Sequence, residues 1–116
     1  MTPPEIIAAL DRDLQIEGQD VVLRRVVPNQ PTGIEAGARA HVSGYKPTEL
    51  PGGVTVGARR AIISPTSFKG TAFEAEQNWP QPGDKLLVSG RQCHVAAADN
   101  KVRGGQLVRI VLTVTG

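Results

Sequence analysis

The chain has 116 residues, 40% hydrophobic but only 3% aromatic, and its thirteen Lys and Arg against eleven Asp and Glu leave a formal net charge of +2. That length supports a single domain over 1–116, and with one cysteine, Cys93, and two histidines, His41 and His94, neither an internal disulfide nor a four-ligand zinc site can be assembled, so no metal or cofactor and a reducing compartment are expected. No run approaches the ~18 continuous apolar residues of a membrane span, and no basic-then-apolar leader opens the chain, so insertion and secretion are not expected.

The first element is a helix over 1–18. Thr2 can cap it, Pro3 suits a first-turn position because its missing N–H would have no partner there, and Glu5 completes a Thr-x-x-Glu capping box. Ile6, Ile7, Leu10 and Leu14 fall on one face at helical spacing, and Gly18 offers a stop. The stripe has to be buried, either on the chain's own sheet or, through Ile6 and Leu10, against a neighbouring subunit. Through Asp20 five acids face one base, Arg12, whereas from Val21 onward twelve bases face six acids. An acidic first segment ahead of a basic body suggests complementary surfaces, within one chain or between copies.

After Asp20 the period changes to that of strands. Val21 to Val27 forms one, ended by Pro28 and Pro31; the next alternates with Ile34, Ala36, Ala38, Ala40 and Val42 on one face. Ala58 to Ser64 makes a third. Lys85 to Ser89 and Gln92 to Ala98 form a tight hairpin around Ser89-Gly90, because glycine supplies the positive φ that such a turn demands. Leu107 to Thr115 is the last strand, with Val108, Ile110, Leu112 and Val114 as its inward set. The fold expected over 20–116 is therefore mainly β: a small antiparallel barrel or sandwich of about six strands, with one amino-terminal α-helix and long loops.

Two arginine doublets, Arg24-Arg25 and Arg59-Arg60, sit inside strand-like runs, so one member of each aims inward unless a bulge or strand end turns it out. An inward arginine needs a carboxylate or an interface, because an unpaired buried charge is very costly. The loops at Gly44 to Gly53 and Ser64 to Gly83 are long for a domain in which connections usually run about 4–6 residues. They hold Tyr45, Phe68, Phe73 and Trp79, which either dock with Leu50 on neighbouring subunits or fold back to plug the barrel ends.

Catalytic chemistry is not indicated. Cys93 and His94 are adjacent strand residues that face opposite ways, the carboxylates are scattered, and Gly52 to Gly57 lacks the Gly-Lys-Ser/Thr of a phosphate-cradling loop. Contact with a DNA backbone through Arg24, Arg25, Arg59, Arg60, Lys101 or Arg103 is open, but base stacking is not expected of strands without aromatics.

In order, a short helix, "DVVLRRVV", "ARAHVSGYKPTELPGGV", "ARRAIISPT", the Trp-Pro segment "NWPQPGDKLLVSGRQCHV" and the terminal "GGQLVRIVLTVTG" resemble the small head-closure or head–tail connector proteins of tailed bacteriophages, over nearly the whole chain. The resemblance implies a non-enzymatic protein of the virion neck, assembled in the host bacterial cytoplasm. There it forms a homo-oligomeric ring, a hexamer or dodecamer, between portal or adaptor and tail, helps retain packaged double-stranded DNA and offers the tail a docking surface. Tyr45 to Gly53 and Phe68 to Trp79 then become intersubunit or channel elements. The family offers no catalytic residues to carry over. A tail terminator or minor tail protein, and a small β-barrel nucleic-acid-binding module, are the alternative readings.

Overall fold

A computed structural model describes residues 2–28, 30–44 and 58–115, and the expectations for Tyr45, Leu50 and the Gly52 to Gly57 turn lie outside the described residues. Helix α1 spans Pro3–Glu17, and six strands follow: β1 (Gln19–Val27), β2 (Gln30–Gly44), β3 (Arg59–Ile63), β4 (Lys85–Val88), β5 (Arg91–Arg103) and β6 (Gln106–Thr115). All pairings are antiparallel, and the order β1-β2-β3-β6-β5-β4 closes on itself through β4 and β1. The fold is a closed barrel rather than a sandwich, which leaves a small sheet with few raw edges.

The helix begins as its residues dictate. Thr2 accepts from the Glu5 N–H while the Glu5 carboxylate accepts from the Thr2 N–H, so two donors that the helix itself cannot satisfy are met reciprocally. The stop at Gly18 has a different cause from the one expected. Its φ of −84° lies in the extended region, and glycine is needed because a Cβ there would come within 2.4 Å of the Leu14 carbonyl oxygen. Arg39 of β2 completes the end, its Nε donating to that same carbonyl at 3.1 Å and its Nη1 to Asp20 at 3.2 Å, a cation placed where the helix dipole is negative. Leu10 and Leu14 are buried as the helix lies along β6 and β2.

The core is made by alternation. From β2, Ala36 and Ala40 are inside with Ile34, Ala38 and Val42 packed against them; Val21, Leu23, Ala61, Ile63, Leu86, Val88, Cys93 and Val95 come from the other strands. The small β2 residues let the layers approach closely. At β6 the expected inward set gains a member: Leu107 joins Ile110, Leu112 and Val114 in the cluster, while Val108, 3% exposed, is buried outside it. The reason is a register slip, since Lys101 pairs with Arg109 but Val102 pairs with Leu107, and one extra β6 residue reverses the alternation. Strand β5 is also longer than the apolar run that announced it. Its polar continuation, Asp99 to Arg103, pairs with Gln106 to Val111 as a two-stranded ribbon turning at Gly104-Gly105.

Candidate interaction surfaces

The long segment from Ser64 to Gly83 is a strap carried from the end of β3 to the start of β4, containing two short 3₁₀ turns, Pro65–Phe68 and Glu76–Asn78. Phe68 and Phe73, expected at a subunit interface, are 2% and 1% exposed and belong to the chain's own core, with ring centroids 5.6 Å apart. They plug the barrel end, because a small barrel whose strands carry alanine and valine leaves its mouth to be filled by something large. Leu10 is likewise spent within the subunit, whereas Ile6 and Trp79 remain half-buried. The Trp79 indole N–H donates to the Glu74 carbonyl, 3.2 Å away, and fixes the ring in the strap.

Each arginine of the doublets has a separate fate. Arg24 points outward and pairs with Glu35, directly opposite it on β2, at 2.6 Å. Arg25 shares the inward phase of Val21 and Leu23 and meets a carboxylate at the barrel end: Asp84, itself 2% exposed, accepts from Nε at 2.9 Å and from Nη2 at 3.0 Å. Nη2 also donates to the carbonyls of Asn78 and Trp79, and the guanidinium lies 5.0 Å from the Phe73 ring centroid. The remaining oxygen demand of Asp84 is met by the Gln81 N–H. Arg59 takes the inward position at the other end, its Nη2 3.2 Å from the buried Cys93 sulfur. Arg25 is thus committed to the fold, whereas Arg24 is held in a surface pair and Arg59 against the Cys93 sulfur.

Two concavities among the described residues gather the residues singled out above. The first is an apolar groove of about 290 Å³ between α1, the strap and the ribbon turn; Ile7, Phe68, Phe73, Trp79 and Leu107 line it, with Lys69 and Glu74 at its rim. Three of the aromatic residues singled out in the sequence therefore converge on one site. The second is a trough of about 370 Å³ on the outer face of β3, β6 and β5. Register sets its rows: Arg60 lies opposite Thr113 and Thr113 opposite Ala97; Ile62 opposite Val111 and Val111 opposite Asp99; Arg109 opposite Lys101. Like charges directly opposite one another are unfavourable, and Asp99 relieves the pair only from the Lys101 side, at 2.9 Å. Arg109 was not among the candidates from sequence, although its β6 position across from Lys101 was the signal that could have found it. Arg103 is exposed beside the ribbon turn.

Among the described residues no group of three or more His, Cys, Asp and Glu is placed to hold a metal ion, and no helix is long and apolar enough to cross a membrane. Cys93 is buried and His94 exposed, on opposite faces of β5, with His94 Nδ1 facing the Lys85 ammonium across the hairpin. Of the acids, Glu5 is held below the usual carboxylate range by its hydrogen bonds from the Thr2 side chain and then the Thr2 backbone. Comparison with family models, with curated proteins and with solved structures finds no match to this chain.

Proposed function

We propose that this chain is a structural protein of the tailed-bacteriophage neck, forming a homo-oligomeric ring, hexameric or dodecameric, between portal and tail. In that position it closes the head, helps retain the double-stranded DNA and presents a docking surface to the tail. The observation that carries the reading is the apolar groove at the strap end of the barrel, where Trp79 and Ile7 stay partly accessible over a floor of Phe68, Phe73 and Leu107. A concave apolar site with a charged rim, on a barrel whose own core is already filled, suits a side chain from an adjacent subunit. The order of sequence features shared with head-closure and connector proteins supplies the place in the virion. Arg103, at the ribbon turn next to the groove, is the cation available to packaged DNA, through phosphate contacts that carry no sequence information.

Imaging of portal-bearing particles made with and without this protein tests the reading. A ring of density between portal and tail, lost with the protein and restored by adding it back, is the expected result. Density that stays with detached tails, at the end of the tube that joins the head, supports a tail terminator instead, and particles unchanged by its removal overturn the proposal. The exposed cations of the ribbon favour one second reading, a nucleic-acid-binding module. Under it the isolated protein binds duplex DNA with an affinity that falls steeply with salt and is weakened by Arg103→Glu.

A further inference from the structure

We infer that the basic trough on β3, β6 and β5 is the seat of helix α1 from a second copy of this chain. The inference does not rest on the neck reading: it uses a different face from the apolar groove and concerns the free protein, since a polar ring between portal and tail has no two-fold axis in its plane and would form from these pairs only after they part. The trough has an apolar floor, Ile62 and Val111, and a rim of three cations, Arg60, Lys101 and Arg109, against one acid, Asp99, which is paired with Lys101. A phosphate backbone has no use for such a floor, whereas an amphipathic protein ridge needs both parts. Helix α1 offers that ridge: Asp13, Ile16 and Glu17 fall at i, i+3 and i+4 on its solvent side, and Ile16 is 77% exposed, more than any other large hydrophobic side chain among the described residues. On the helix two acids, Asp13 and Glu17, flank the exposed aliphatic, with Arg12 one turn before it; in the trough base outnumbers acid around a half-buried aliphatic floor.

Placement makes the contact reciprocal. Ile62 and Arg109 line the trough and also a smaller cleft of about 130 Å³, whose other wall is Asp13 and Glu17 of the same chain. Ridge and trough therefore lie side by side on one face, and a two-fold axis between them seats each helix in the other copy's trough. A patch of that kind is self-complementary, which is the requirement for an isologous contact. Each Arg109 then lies between the acids of its own helix and those of its partner's, and the unfavourable juxtaposition of Lys101 and Arg109 acquires counter-charge.

Charge reversal tests this with the whole chain. Sedimentation is measured for the wild type, for Lys101→Glu with Arg109→Glu, for Asp13→Lys with Glu17→Lys, and for an equimolar mixture of the two variants. Circular dichroism melts establish that each variant is folded. Expected is a wild-type dimer of twice 12.3 kDa that dissociates as salt is raised. Each variant alone associates at least about tenfold more weakly, and the mixture recovers a one-to-one pair, because both charge contacts are rebuilt between unlike chains. Equal self-association by all samples overturns the inference. So does a mixture that stays monomeric, or duplex DNA binding that depends on Lys101 and Arg109 with no self-association of the wild type.

Discussion

Arg25 and Asp84 face each other as a two-pronged pair, Nε to Oδ1 at 2.9 Å and Nη2 to Oδ2 at 3.0 Å, and so bolt the far end of the strap to the first strand. With Arg25 side-chain exposure at 14% and Asp84 at 2%, most of the solvent screening that weakens surface pairs is absent. Removing one partner leaves the other buried and uncompensated. Arg25→Ala or Asp84→Ala is therefore expected to cost about 3–5 kcal/mol in denaturant unfolding. The double variant is expected to lose less than the sum of the two, and full additivity would refute the pair as the reason for the loss.

The strap aromatics divide into core and surface, and substitution separates them. Phe73→Ala removes a fully buried ring from the barrel mouth and is expected to lower stability by about 3–5 kcal/mol. Trp79→Ala removes a half-buried ring with less effect on the melt, yet under the ring reading weakens subunit association at least about tenfold, as a central aromatic anchor does. A Trp79 variant that assembles as well as wild type counts against the groove as the ring contact.

The hairpin between β4 and β5 turns on two residues, Ser89 with φ of 53° and Gly90 with φ of 78°, the arrangement of a type I′ turn. Serine tolerates this backbone region less well than asparagine. Ser89→Asn is expected to raise stability by up to about 1 kcal/mol, and Gly90→Ala to lower it by about 1–2 kcal/mol. Paired thermal melts check both; a stabilising Gly90→Ala would mean the turn is of another type.

Acid should loosen the start of α1 through Glu5. Its folded value is depressed from an ordinary 4.5, so its contribution is fully present above that value and is lost as pH falls through the lower one. Helical signal is expected to decline in that window for wild type and to be flatter in Glu5→Gln. Thr2→Ala, which removes the hydroxyl that the Glu5 N–H and carboxylate both use, should reproduce the Glu5→Gln profile. Identical acid profiles in all three proteins would contradict the capping account.

Much of the architecture was legible because its causes are short-range. The capping box spans three residues, the Ser89-Gly90 turn two, and the β2 alternation from Ile34 to Val42 follows from the two-residue period of an extended chain. Where a longer-range event intervened, the reading slipped. The register slip opposite Lys101 turned Leu107 into the core cluster beside a still-buried Val108, and pairing with β6 carried β5 on to Arg103 through residues too polar to announce a strand.

The two surfaces show the same division. The sequence by itself determined that the arginine doublets needed partners, that Phe68, Phe73 and Trp79 sat in the segment between the third and fourth strands, and that acid preceded base along the chain, all consequences of residue type and local period. Only the tertiary structure decided that Arg25 takes Asp84, 59 residues away, that Phe68 and Phe73 turn inward, and that Lys101 and Arg109 share a trough beside the acidic helix. Closing the barrel is what made those choices: it brings distant segments into contact at separations that no local rule encodes, and there the costs of burying charge and of leaving a void select one arrangement.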